Sequence, residues 1–325
     1  MLIILHTMSP ENIQQFYTLI ERSSRILLLA PKNIDGDTIG TNVALYLYLK
    51  SLGKNPILYS PVPLDEKFLW MPHINEFVFS FDPYEVDLIV TSDTAVPTLF
   101  LGTDNEKVLF SRGISWINLD HHISNSKYGT LNLLNYEATS CSMILHEIFA
   151  FKNVQITKDM ATYMLMSIYM DSGSFIHPNT KPKTYEVASK LVECGAEVAK
   201  IGEVFFRSNE LGKMRLWGLV FERMQRLDGD ILISYLEETD FLLSGTTKED
   251  VEGVVDMMNT VPNNVVVLLT EDGKGNVKGS LRTMSDDVDL NEIAKRFGGG
   301  GHKKAAGFYL RNTVMSNLLQ FSLTK

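Results

Sequence analysis

The sequence lacks the features that would mark a membrane protein, a disulfide-stapled protein or a coat for long nucleic acids. Of its 325 residues only two are cysteines, Cys141 and Cys194, so neither a disulfide framework nor a thiolate metal cage can be read from it. Both cysteines read as small, buried apolar residues. No run approaches the roughly 18 apolar residues of a membrane span. The opening Met1-Leu2-Ile3-Ile4-Leu5-His6 has no basic start and is too short for a secretory leader. The expected compartment is therefore the cytoplasm, with no membrane partner. Cations are scarce as well: 30 Lys and Arg face 39 Asp and Glu, a net charge of −9. Such a chain binds long duplex DNA poorly, because that affinity comes from cation-rich surfaces that release counterions. A small anionic ligand held by a few local cations or metal ions remains open. Disorder is excluded by 45% hydrophobic against 21% charged residues.

The length predicts about two domains. In the first half, apolar runs at Arg25–Ala30, Asn55–Tyr59, Asp87–Ser92 and Ile114–Leu119 read as strands, and Thr41–Leu52 reads as a helix closed by Gly53. Apolar strands separated by helical segments predict an α/β domain with a doubly wound parallel sheet over residues 1–195. Helices are expected at Ala138–Phe149, Lys158–Met170 and Lys183–Cys194. Residues 196–228 read as a helical linker region around Ser208-Asn209-Glu210. Strands at Asp230–Tyr235, Asn264–Thr270 and Val277–Arg282, a helix at Asn291–Phe297 and a glycine-rich loop predict a smaller α+β domain over 229–325.

Aspartates mark the ends of these strands. The first strand leads to Asp35-Gly36-Asp37, the third runs into Asp93, and the fourth runs into Asp120-His121-His122. Asp171 follows the apolar stretch Met164–Met170. Ligands of open α/β sheets bind outside the carboxyl ends of the strands. Carboxylates gathered there repel one another unless cations neutralise them. A donor set of carboxylates and imidazoles without thiolate suits Mn²⁺ or Mg²⁺ better than structural zinc. Taken singly, Asp35 or Asp37 serves equally well as a helix cap, and Asp120 as a turn residue.

The ordered set Asp35-Gly36-Asp37, Asp93, Asp120-His121-His122 and Asp171-Ser172-Gly173-Ser174-Phe175 resembles the successive motifs of the DHH phosphoesterases. Gly279-Ser280-Leu281-Arg282 and Gly298-Gly299-Gly300-Gly301-His302-Lys303-Lys304-Ala305-Ala306-Gly307-Phe308 resemble the DHH-associated C-terminal domain. Among such proteins the two-domain length is most similar to the nanoRNases that also act as phosphatases on 3′-phosphoadenosine 5′-phosphate (pAp).

The resemblance implies a pair of Mn²⁺ ions, with Mg²⁺ as the alternative, that share Asp93. Asp35 would bind the first ion; Asp37, His121 and Asp171 would complete the second. Water activated between such ions attacks phosphorus in line. By the same resemblance His122 contacts the phosphate and helps protonate the leaving oxygen, and Asp120 orients a neighbouring imidazole. In relatives the C-terminal domain holds the far end of a short nucleotide. Here Arg282, the backbone of Gly299, Gly300 and Gly301, and His302 would make that grip. Read alone, the glycine run better suits a tight helix-to-strand turn, a preference that the family resemblance reverses, and Lys303 and Lys304 read as ordinary solvated charges. Relatives also often pair, which makes a homodimer the expectation.

One position departs from the family pattern. A metal-binding His is usual four residues before the first Asp, and Pro31 stands there. Water fills the position, another group such as His177 reaches in, or the site is impaired; as a loop residue His177 also reads as merely exposed. The expected activity is hydrolysis of short oligoribonucleotides, with pAp as a second substrate. A dinucleotide or cyclic-dinucleotide phosphodiesterase and a catalytically impaired nucleotide-binding protein are the alternatives.

Overall fold

The apolar run after Arg25 forms β1 (Ile26–Leu29), and all four of its side chains are buried. Ile26 and Leu28 pack on one face of the sheet, Leu27 and Leu29 on the other. A strand covered on both faces has no polar side to alternate with, hence the continuous run. The computed structural model describes residues 8–69, 71–100, 104–206, 210–313 and 315; the apolar start Met1–His6 lies outside them. It joins β1 to β2 (Ile57–Tyr59), β3 (Phe77–Val78), β4 (Leu88–Ser92), β5 (Ser115–Asp120) and β6 (Leu131–Leu134), in the order β3-β2-β1-β4-β5-β6. Every pairing is parallel. The chain winds one way from β1 to β3 and the other way from β4 to β6, so the expected doubly wound sheet is present. Its switch point lies between β1 and β4, where such sheets bind their ligands.

Helices cover both faces. One face carries α1 (Pro10–Arg22), α2 (Gly36–Ser51), α4 (Cys141–Phe151), α5 (Lys158–Asp171), α6 (Pro182–Glu193) and α7 (Val198–Phe206). The other takes Leu109 of α3 (Asp104–Ser111), packed with Leu27, Tyr59 and Phe100. Helix α2 begins at Gly36, five residues before the apolar pattern alone predicts. The Asp35 side chain accepts the backbone N–H of Asp37 and Thr38 and so caps the helix there. Helices α2 and α5 lie unusually close: a Cβ on Gly40 would stand 2.4 Å from the Tyr163 carbonyl oxygen.

The chain divides into two units, Met1–Ser208 and Asn209–Lys325. The second holds α8 (Leu211–Glu222), β7 (Gln225–Leu227), β8 (Ile231–Leu236), α9 (Glu238–Ser244), α10 (Val254–Met258), β9 (Val265–Glu271), β10 (Val277–Arg282), α11 (Leu290–Lys295), β11 (Gly300–Gly301) and β12 (Ala305–Leu310). Its sheet runs β11-β12-β10-β9-β8-β7, with β8 and β9 parallel and the other pairs antiparallel. The stretch read as one helical linker divides between the units. Ile201 of α7 joins the first core, whereas Leu216 and Val220 of α8 join the second; Ser208 and Asn209 lie outside the described residues. Cys141 is buried as expected, but Cys194, at the end of α6, is exposed. Among the described residues no helix is long and apolar enough to cross a membrane.

Candidate metal centre

Four acidic elements meet at the carboxyl end of the parallel sheet. Asp37 sits in the first turn of α2, fully buried. Its carboxylate accepts the Cys141 N–H at the start of α4 (2.8 Å), the Ser167 hydroxyl of α5 (2.6 Å) and the Thr41 hydroxyl (3.2 Å). Asp93 follows β4 directly in a left-handed conformation, φ 56°, with its N–H on the Leu119 carbonyl and its carboxylate accepting from Thr38. Asp171 ends α5, so it arrives from a helix rather than a strand. Asp35 is exposed and spends one oxygen on capping α2; it stands near enough to raise the pKa of both Asp37 and Asp93.

His121 is where these groups converge. Its Nε2 lies 3.1 Å from Asp171, 3.5 Å from Asp93 and 3.7 Å from Asp37. This nitrogen is nevertheless buried without an aligned hydrogen-bond partner. Its Nδ1, at 3.2 Å, faces the Ala138 carbonyl. An Nδ1–H donated to that carbonyl leaves an Nε2 lone pair facing three carboxylates, which is repulsive unless a cation or a proton lies between them. The electrostatics carry the same strain. Burial, then the charge of Asp171, push the Asp37 carboxyl up to about 7. Burial and Asp37 raise Asp93 well above the usual carboxylate range. Burial opposes a charge on His121, but the carboxylates of Asp171, Asp93 and Asp37 prevail and push it up to about 11. An orphaned imidazole nitrogen ringed by hard oxygen donors fits a divalent cation.

Asp120 and His122 stand beside this cluster as a pair. Asp120 is fully buried at the end of β5; one oxygen accepts from the backbone N–H of His121 and His122 and faces His122 Nδ1 at 2.8 Å. Its other oxygen accepts from Asn125 at 2.5 Å. Burial alone would raise this carboxyl; the hydrogen bonds from His122 and Asn125 overcome that and hold it below its ordinary value. His122 itself is exposed.

Pro31 is buried just past β1 and offers no donor. His177 does not replace one. It is exposed, its Nδ1 faces the Asp171 backbone carbonyl at 3.3 Å, and its ring lies against Gly173. Sequence reasoning passed over the small polar shell that seats Asp37: Thr41, Ser142 and Ser167, with Ser140 bonded to Ser167. The run Thr139-Ser140-Cys141-Ser142 before an apolar helix is its only sequence signal. Cys141 also lies among the converging donors, with its thiol raised by burial and by Asp37.

In the C-terminal unit, strand register places Arg282 opposite Ala305, and the turn His302–Ala305 joins β11 to β12. Arg282 Nε donates to Asp256 (2.7 Å) and Nη1 to the Leu281 carbonyl (3.0 Å). The glycine run serves two purposes. Gly298 lies in the turn after α11 with φ 73°, and a Cβ on Gly299 would strike the Gly307 carbonyl oxygen at 2.1 Å, so both belong to the turn. Gly300 is exposed and meets no such obstacle. His302 is exposed too. Lys304 is more than a solvated charge: its ammonium binds the carbonyls of Met284 and Ser285 and the Asp286 carboxylate.

A sequence signature described as the DHH family, N-terminal domain, matches residues 25–168, and one described as the DHHA1 domain matches residues 228–322. The chain belongs to the DHH family. This DHH-family chain is 29% identical over 283 residues to the bifunctional oligoribonuclease and PAP phosphatase NrnA of Thermus thermophilus, a match covering 85% of the chain and 81% of that protein. To the protein of the same name from Bacillus subtilis it is 23% identical over 241 residues, 71% of the chain and 74% of the relative. An exopolyphosphatase-related protein from Bacteroides fragilis superposes with a TM-score of 0.86 at 22% identity, over 98% of this chain and 96% of that one. The exonuclease RecJ bound to manganese superposes at 0.52 and 15% identity, over 97% and 94%. Both structures share the fold.

Proposed function

We propose that this chain is a divalent-metal-dependent phosphoesterase that hydrolyses short oligoribonucleotides and, as a second substrate, pAp. The observation that carries this reading is the convergence of Asp37, Asp93 and Asp171 on the buried Nε2 of His121, which makes no aligned hydrogen bond with any of them. The oligoribonuclease and PAP phosphatase named among the relatives supports the substrate class. Asp37, His121 and Asp171 would hold one Mn²⁺ and Asp35 the other, with Asp93 shared; Mg²⁺ is the alternative. Such ions, when bound, activate water and offset the charge that gathers on phosphoryl oxygens.

The chain's own residues supply the rest. Asp120 holds His122 through Nδ1, which fixes the ring and turns Nε2 outward; from there it meets the phosphate and hands a proton to the leaving oxygen. With Nε on Asp256 and one Nη1 proton on the Leu281 carbonyl, Arg282 keeps its remaining N–H groups for a substrate phosphate. The Gly299 N–H is held by the Ala294 carbonyl and the Gly301 N–H by Asn291, so Gly299 and Gly301 shape the loop while the exposed Gly300 backbone, together with His302, is proposed to complete that grip.

Pro31 favours one competitor, a protein that binds nucleotide but turns it over poorly because the Asp35 side of the site is short of donors. The decisive experiment measures hydrolysis of a dinucleotide, a pentanucleotide RNA and pAp while Mn²⁺ is titrated, with Asp93→Ala alongside. Turnover that requires the metal and disappears in the variant supports the phosphoesterase. Binding without turnover at saturating Mn²⁺ would replace it with the binding protein.

A further inference from the structure

The segments that frame the metal cluster carry large apolar side chains facing solvent. Ile123 follows His122 and is 84% exposed; Tyr136 precedes Ala138; Ile176 and Tyr185 stand beyond Asp171, with Tyr185 55% exposed. Exposed apolar residues are ordinary singly, but Tyr185 is not alone. Its ring stacks on Phe175 with centroids 5.3 Å apart and planes at 21°, and Phe175 meets Tyr169 edge-on at 5.8 Å. Phe175 is also packed against the main core. One face of Tyr185 is thus backed by a rigid aromatic column while much of the ring remains open.

This column is fastened to the catalytic cluster at both ends. Phe175 lies four residues after Asp171. Its N–H is held by the Ser172 hydroxyl at 2.9 Å, and the Ser174 N–H by the Tyr169 carbonyl at 2.8 Å. Gly173, Ser174 and Phe175 all take left-handed backbone conformations (φ 54°, 62° and 67°), two of them non-glycine, a run that side-chain-bearing residues adopt only when their surroundings impose it. Tyr185 follows Thr184, which is fully buried and shares a 2.6 Å hydrogen bond with Thr139. Thr139 in turn adjoins Ala138, whose carbonyl faces His121 Nδ1. The same hydrogen-bonded segments therefore set the positions of His121, Asp171 and the aromatic pair.

We propose that Tyr185, backed by Phe175, is a stacking platform for a nucleobase of the substrate whose phosphate is hydrolysed at the Asp37–Asp93–His121–Asp171 cluster. The inference rests on the phosphoesterase reading. A flat aromatic face accepts any base, since every base has a π-face. A single platform on the segments that carry the cluster suits a substrate of a few nucleotides and gives affinity without sequence preference. It also separates nucleotides from base-free phosphate esters, which have nothing to lay on the ring.

The test uses the full-length protein with a dinucleotide containing 2-aminopurine, and with the two dinucleotides that lack one base or the other. Tyr185→Ala is expected to raise KM for the complete dinucleotide roughly tenfold, with kcat nearly unchanged. It should leave KM untouched for the one abasic dinucleotide that lacks the stacked base. Tyr185→Phe should behave as wild type, because the ring and not the hydroxyl does the holding. Fluorescence quenching of 2-aminopurine on binding should fall in Tyr185→Ala and persist in Tyr185→Phe; this readout needs no turnover. An unchanged KM and unchanged quenching in Tyr185→Ala, with hydrolysis intact, overturns the platform and leaves the phosphoesterase standing. Absence of metal-dependent hydrolysis in wild type instead removes the phosphoesterase, while the quenching still decides whether the ring takes a base.

Discussion

At the scale of single residues, hydrogen-bond accounting separates Asp120 from the other acidic groups. One of its oxygens already serves three donors and the other is taken by Asn125, which leaves it a holder of His122 rather than a free ligand. Asp120→Asn keeps the shape but offers a weaker acceptor, so kcat is expected to fall about 10- to 100-fold with little change in KM; steady-state kinetics on a dinucleotide checks the split. The groups proposed to bind metal make a prediction about pH. Asp37 titrates near 7 in the fold instead of 3.8, so between those values the folded state keeps a proton that the unfolded chain has lost, and metal-free stability falls as pH rises. His121, raised from 6.5 to about 11, adds stability below about 6.5 that is lost on going toward 11. Both act in one direction. Without metal the melting temperature should decline from about pH 5 to pH 8, and the increment given by Mn²⁺ should widen over the same interval, because the cation displaces those protons. A narrowing increment in thermal melts would contradict the assignment.

At the scale of elements, the glycine run offers an internal control. Gly299→Ala forces a Cβ to within 2.1 Å of the Gly307 carbonyl, an overpacking expected to destabilise by about 1–3 kcal/mol and to lower the melting temperature. Gly300→Ala meets nothing closer than an ordinary contact with Asn291 Oδ1 at 3.8 Å, so the fold should be unchanged while KM rises, because the added methyl occupies the proposed approach of the ligand. Denaturation and kinetics on the two variants read these effects separately. The strands that seat the cluster were legible because β1, β4 and β5 are covered on both faces and so appear as unbroken apolar runs. The strands β3 and β6 were not read: β3 has only two residues, and β6 alternates buried with half-buried positions, with Asn132 interrupting its apolar run. Helix α1 was passed over although Ser9 caps it, Pro10 opens it, and Ile13, Phe16, Tyr17 and Ile20 bury one stripe. The aspartates and His121 were legible as a family pattern in sequence. The seat of Asp37 was not, because Cys141 and Ser167 reach it from 104 and 130 residues away, and no local spacing encodes such a meeting.

At the scale of the whole molecule, the net charge of −9 sets how binding responds to salt. With few cations to release counterions, the slope of log affinity against log salt for a dinucleotide is expected to be on the order of −1, against about −10 for a repressor that holds duplex DNA through many phosphates. Titration of a labelled dinucleotide at several ionic strengths measures it, and a steep slope would mean a larger cationic surface than the described residues provide. The left-handed Asp93 has a further consequence. It combines a backbone conformation that an unstrained chain avoids with a carboxylate that burial and Asp37 both disfavour, so this protein is least comfortable where it is most useful. Asparagine tolerates that backbone and carries no charge, so Asp93→Asn should melt higher than the metal-free parent while abolishing turnover. A search for heat-resistant variants conducted without regard to activity would then find its first gains in the acidic cluster proposed to be catalytic rather than the apolar core, and the winners would be robust, inert proteins.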